Sequence, residues 1–196
     1  MLQSKLIRKT QLTIVSFLLF ASGVQADSIG DIVESTGIGQ IVRNNEEIVV
    51  SGAQIPVQLN DAAKTGNGRM LIEFLDKAEL ALKEHSEVLI DEIYYDPDPS
   101  LSKMSMKFTM GTARFASGRL GLVNKANIDI KTPTASIAVR GTDFTTTVDE
   151  LGRSLIILLP DANGLPSGEI IVSNQVQQVH IVTKLQQVQM EVQTQI

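Results

Sequence analysis

Two histidines and a scatter of acidic residues are the side chains best suited to chemistry in this sequence, and their spacing limits what they can do. His85 lies in Lys83-Glu84-His85-Ser86-Glu87, and His180 in a run of Val, Ile and Gln. Neither falls in H-E-x-x-H, nor do they stand at ligand spacing from each other, so no metal or catalytic role is expected of them. Ser86 adjoins His85 in what reads as a polar turn, where exposure is expected, and no G-x-S-x-G nucleophile elbow occurs. Asp161, Asn163 and Glu169 in DANGLPSGE offer oxygen ligands without the twelve-residue spacing of a calcium loop, which leaves a turn as the reading. Glu92, Asp96 and Asp98 flank two tyrosines, where a carboxylate pair would suit glycoside hydrolysis. The absence of Cys excludes disulfides, thiolate zinc sites and thiol nucleophiles. No catalysis and no cofactor are expected.

The tyrosines carry a different expectation. Tyr94-Tyr95-Asp96-Pro97-Asp98-Pro99 holds both tyrosines of the chain in a loop stiffened by two prolines. Rigid aromatics contact partners at low entropic cost, so Tyr94 and Tyr95 are the candidate partner contact. The competing reading is an ordinary loop whose tyrosines pack on the domain edge. With no Trp and one Tyr pair, a long sugar-stacking platform cannot be built, although a bound glycan stays open as an alternative. The net charge of -5 offers no basic field for nucleic acid.

These residues must be positioned by strands. Met104, Met106, Phe108 and Met110 alternate with Ser105, Lys107 and Thr109, a period of two that buries one strand face and wets the other. Similar runs occupy 69–75, 78–82, 88–93, 127–131 and 155–159. Thr65-Gly66-Asn67-Gly68, Asp76-Lys77, Asp96-Pro97-Asp98-Pro99, Gly118, Gly121 and Ala162-Asn163-Gly164 read as the punctuation between them. The pattern predicts an all-β domain, jelly-roll or β-helix-like, with a core of Ile72, Phe74, Leu80, Ile90, Phe108, Ile137, Val139 and Phe144.

The ends differ from the body. Lys5, Arg8 and Lys9 precede the apolar run Leu12 to Gly23 and the small residues ending at Ala26, the arrangement of an export signal cleaved after residue 26. The run has about 12 residues where a membrane span needs about 20. A periplasmic or secreted product follows, which does not span a membrane once processed. The domain is expected over 27–174. Residues 175–196 are rich in Gln; periodicity fits helix and strand about equally, and β-branched residues favour two β segments that close the domain or form its edge.

The segment 127–148, NIDIKTPTASIAVRGTDFTTTV, reads as a strand, a break at Thr132-Pro133, a second strand, a tight turn or bulge at Arg140-Gly141-Thr142, and a Thr-rich strand. Gly141 supplies a conformation that a side chain would oppose, and Arg140 beside it can reach carboxylates or strand-end carbonyls. The spacing of Thr132, Pro133, Ala135, Ile137, Val139, Arg140, Gly141, Thr142 and Phe144 resembles the signature of the FecR family of bacterial envelope domains. The runs 61–69 with LIEFLDKAELAL and 108–115 are similar to the strands that precede the signature in that family.

The resemblance implies a non-enzymatic all-β periplasmic domain, similar to those that relay the state of an outer-membrane receptor to an inner-membrane partner. A FecR-type sigma regulator carries a cytoplasmic segment and a membrane span ahead of the domain; an export signal stands there in this chain. The expected role is therefore a stand-alone protein-interaction or signal-relay module whose partner is another exported or outer-membrane protein. The signature residues are expected to serve the fold.

Overall fold

The computed structural model describes residues 27–123, 127–161, 163–165, 168–174, 178–181 and 187–190; the expected export signal lies outside them. The described residues form fourteen strands and two short 3₁₀ turns, Pro99–Leu101 and Arg119–Leu122. In chain order the strands are β1 Gly30–Arg43, β2 Glu46–Val50, β3 Ile55–Val57, β4 Ala62–Phe74, β5 Glu79–Leu82, β6 Glu87–Tyr94 and β7 Lys103–Ala116. They continue as β8 Ile128–Lys131, β9 Ser136–Arg140, β10 Asp143–Val148, β11 Ser154–Leu158, β12 Glu169–Ser173, β13 Gln178–Ile181 and β14 Gln187–Met190. The all-β expectation holds.

Three long strands organise the rest. The first half of β7 lies between β6 and a parallel β8, while its second half lies between β5 and β10. Likewise β4 pairs with β6 through Ala62–Lys64 and with β5 through Met70–Glu73, and β1 pairs with β2 at one end and β3 at the other. The hydrogen-bonded sheet therefore folds over along a line crossing β1, β4 and β7. One layer holds β2, β6, β8, β9, β12 and β13; the other holds β3, β5, β10, β11 and β14.

At the fold line the alternation changes phase. Inward positions in β4 pass from Ala63 and Thr65 to Met70, Ile72 and Phe74, and in β7 from Met104, Met106 and Phe108 to Ala113 and Phe115. Two expectations are corrected here. Thr65-Gly66-Asn67-Gly68 is the bend within β4 rather than a break between strands. Met110 is 42% exposed because the alternation slips just before it, where Val88 pairs with Phe108 but Glu87 with Met110. Glycine is required at the bend, where backbones touch: a Cβ on Gly68 would lie 2.3 Å from the Thr36 carbonyl oxygen, and one on Gly37 2.2 Å from that of Asn67.

The layers bury one core between them. All eight expected core residues are buried, and the Phe115 and Phe144 rings stand 5.9 Å apart at centroid. Each such side chain stabilises the fold by about 1.5–3 kcal/mol when withdrawn from water. A small cavity of about 10 Å³ remains, lined from one layer by Leu80, Phe115, Phe144 and Thr146 and from the other by Val88, Met106, Phe108 and Ile130. The Thr146 hydroxyl is buried with no hydrogen-bond partner among the described residues. Nearer the surface, fully buried Asp61 accepts two bonds from Arg43, at 2.8 and 2.7 Å, and a third from the Gln58 N–H.

Candidate functional site

The signature residues divide between two turns and a core. Thr132, Pro133, Thr134 and Ala135 make the turn from β8 to β9: the Thr132 hydroxyl oxygen accepts the Ala135 N–H at 3.0 Å, and the Thr132 N–H donates to the Ala135 carbonyl. Ser154 on β11 ties into this turn, its hydroxyl 2.7 Å from those of both Thr132 and Thr134. Ile137, Val139 and Phe144 are fully buried in the core. Arg140-Gly141-Thr142 is not a hairpin turn, because β9 pairs with β8 and β12 whereas β10 pairs with β7 and β11. It is the corner at which the chain crosses between layers. Gly141 has φ +53°, in the left-handed region glycine adopts at least cost, and the Thr142 N–H donates to the Ser117 hydroxyl at 2.9 Å.

The loops at this end of the sandwich converge on Asp76, which is buried. One of its carboxylate oxygens accepts the Ala78 N–H and the Tyr95 hydroxyl; the other accepts the Leu120 N–H; its carbonyl accepts the Arg119 N–H. One side chain thereby fastens the β4–β5 turn, the tyrosine loop and the 3₁₀ turn Arg119–Leu122 together. In the sequence Asp76-Lys77 reads only as punctuation between strands.

The tyrosine pair splits. Tyr94 is 53% exposed and donates to Asp96 at 2.7 Å, which raises its pKa. Tyr95 packs against the core, and its pKa is raised further, chiefly by burial and then by the Asp76 charge. Successive side chains leaving a strand point to opposite faces, so only one of two adjacent tyrosines can face solvent.

The remaining candidates serve local structure. Ser86 is buried, against expectation: its hydroxyl accepts the Thr112 N–H at 2.9 Å and donates to the Thr112 carbonyl at 3.0 Å, closing the ladder beside the bend in β7. His85 is exposed in the turn at φ +55°. The Asp161 carboxylate accepts the Asn163 and Leu165 N–H groups at 2.8 Å, and these bonds hold its pKa below the usual range. Asp98 caps the 3₁₀ turn through the Ser100 N–H and hydroxyl. Among the described residues no group of three or more His, Asp or Glu is placed to hold a metal ion.

A feature with no counterpart in the sequence reading is a shallow groove of about 320 Å³ on the outer face of the second layer. Leu71, Ala81, Ala116 and Thr145 floor it; Arg69, bonded to Glu84, and Arg114, bonded to Asp143, rim it. Glu34, Glu79 and Lys83 also line it, so its rim carries charge of both signs. Cross-strand register alone assembles it, so no local run of sequence announces it.

The domain is thus a two-layer all-β fold in which the signature residues build a turn and an inter-layer corner. A family model described as FecR protein matches residues 61–159, from buried Asp61 to one residue past β11, and the chain belongs to the FecR family. Membership makes it a signal-transduction-related module. A comparison with curated proteins finds no match. Among the described residues no helix is long and apolar enough to cross a membrane.

Proposed function

We propose that the chain is an exported, non-catalytic module of the bacterial cell envelope that binds another exported or outer-membrane protein and relays its state. One observation carries the reading. The last two described strands extend both layers, β13 beside β12 and β14 beside β11, and each is paired on one side only among the described residues. An edge of this kind offers a row of backbone donors and acceptors to a partner strand. The glycan alternative finds less support, since Tyr95 is half-buried and Tyr94 alone of the two tyrosines stands clear.

The test is crosslinking in intact cells followed by mass spectrometry. A protein partner should be recovered whose yield falls on truncation after Asn174 or on Tyr94→Ala, with the purified variants retaining their β-rich circular dichroism. Sedimentation of the pure domain with sacculi, without any protein crosslink, would overturn the reading. Mass spectrometry of the mature N-terminus tests export: it should begin at Asp27.

A further inference from the structure

Six arginines lie among the described residues, and four of them, Arg43, Arg69, Arg114 and Arg153, are in ion pairs with carboxylates of the domain. Arg119 and Arg140 are exposed and have no carboxylate within ion-pair distance among the described residues. This is not chance scatter over the surface, because the two stand on one strip. Arg119 opens the 3₁₀ turn and donates to the Leu75 carbonyl at 3.2 Å. Leu122 closes that turn, and its Cδ2 lies 3.4 Å from where a Cβ on Gly141, next to Arg140, would stand.

The residues that accompany the two arginines here are apolar and open: Leu75 is 53% exposed, Leu122 74% and Val123 42%. A net-acidic domain that keeps these two arginines out of its ion pairs, although Glu169 on β12 stands opposite Arg140 in the register, and sets them near bare leucines presents a surface complementary to a segment carrying both carboxylates and aliphatic side chains. Guanidinium pairs bidentately with carboxylate, so such a segment would satisfy the forks while its apolar residues cover Leu75 and Leu122. The strip is also held in advance of binding. Buried Asp76 fixes the Arg119 and Leu120 backbone, the Gly141 corner packs under Leu122, and Ser117 bonds Thr142. Little ordering entropy is left to lose on contact.

We propose that this strip, Leu75, Arg119, Leu122, Val123 and Arg140, is the docking site for an acidic, aliphatic segment of the partner protein. The inference rests on the protein-interaction reading above and names the chemistry of the partner. The family motif thereby serves recognition as well as folding, since Gly141 turns the corner while Arg140 beside it faces outward to meet the partner.

The test places a photoreactive amino acid at Leu122 in the full chain in intact cells, with Leu151 in the β10–β11 turn as the control position, and identifies the crosslinked peptide by mass spectrometry. The expected result is a protein segment containing Asp or Glu next to Leu, Ile or Val, captured from position 122 and not from 151. A synthetic peptide of that segment should bind the purified domain with a Kd that rises about tenfold or more in Arg119→Glu/Arg140→Glu, since like charges now face each other. The Lys double variant should keep part of the affinity, and affinity should weaken with added salt. A basic or uncharged segment, equal capture from 151, no capture at 122, or an unchanged Kd in the Glu variant would each overturn the proposal. A partner recovered through Tyr94 or the C-terminal strands, with nothing at 122, would leave the interaction reading intact and remove only the strip. Glycan capture with no protein would remove both.

Discussion

Thr146 stands on β10 with its hydroxyl in the core and nothing to bond, against a cavity whose other walls are apolar side chains. An unmet buried hydroxyl costs about 1–3 kcal/mol, and at about 10 Å³ the cavity is at the lower limit for a water that would in any case find few polar partners there. Val has the shape of Thr with a methyl in place of the hydroxyl and is at least as good a strand former. Thr146→Val is therefore expected to stabilise the domain by about 1 kcal/mol, which for a chain of this size raises Tm by roughly 2–4 °C. The same exchange at Thr134 should act in the opposite sense, because that hydroxyl lies in the Thr132–Ser154 cluster and its removal leaves buried partners short, at a cost of about 1–3 kcal/mol. Urea denaturation of the two variants beside the parent, at unchanged m-value, reads both signs. A Thr146→Val domain less stable than the parent, or a Thr134→Val domain as stable, would refute the reasoning.

Three further outcomes are expected. Gly141→Ala should cost about 1–2 kcal/mol for its left-handed backbone alone, since a Cβ there meets nothing closer than 3.4 Å, whereas Gly68→Ala should cost more because the Thr36 carbonyl blocks it; thermal melts rank the two. Asp61→Ala should lose about 3 kcal/mol by stranding Arg43, the lower end of the range for a broken buried pair because Arg43 keeps one side to solvent; urea midpoints measure it. Tyr95 has a raised folded pKa, so the native state holds its proton longer than the unfolded chain does. Its contribution is full below the ordinary value of 10.0 and is lost as pH rises above it, and Tyr95→Phe should flatten that alkaline decline while costing about 1 kcal/mol at neutral pH for the lost bond to Asp76; urea midpoints across pH measure both.

Strand identity and core membership were legible because alternation is a local property: Ile72, Phe74, Leu80 and Phe108 announce a buried face wherever their neighbours are polar. The bend was not. Gly66 and Gly68 look the same in a turn between two strands as in a fold-over within one, and only the partner strands β5 and β6 distinguish the cases. Met110 was misplaced for a like reason, because the alternation slips between Phe108 and Met110 where β6 falls out of step, and only the partner strand shows it. Ser86 and Asp76 were missed for a related reason. Small polar residues in loops are usually wet, and nothing near them in sequence reveals that Thr112, Tyr95 or Leu120 will deliver backbone or hydroxyl donors from 19 to 44 positions away. The corner at Gly141 was legible from Gly itself, while the pairing of Arg140 with Arg119 on one strip depends on the crossing between layers.

β7 bonds to four strands, two in each layer. Removing it leaves β5, β6, β8 and β10 each one neighbour short, with only β4, β4, β9 and β11 beside them, so both layers are expected to melt together as one cooperative unit. The bend is therefore no boundary between independently folding halves, and a cut within 103–116 is expected to unfasten both layers. Occupancy at one end of the sandwich and integrity of the far fold line are thus reported by the same melting event, which makes a single unfolding curve a readout for the whole molecule.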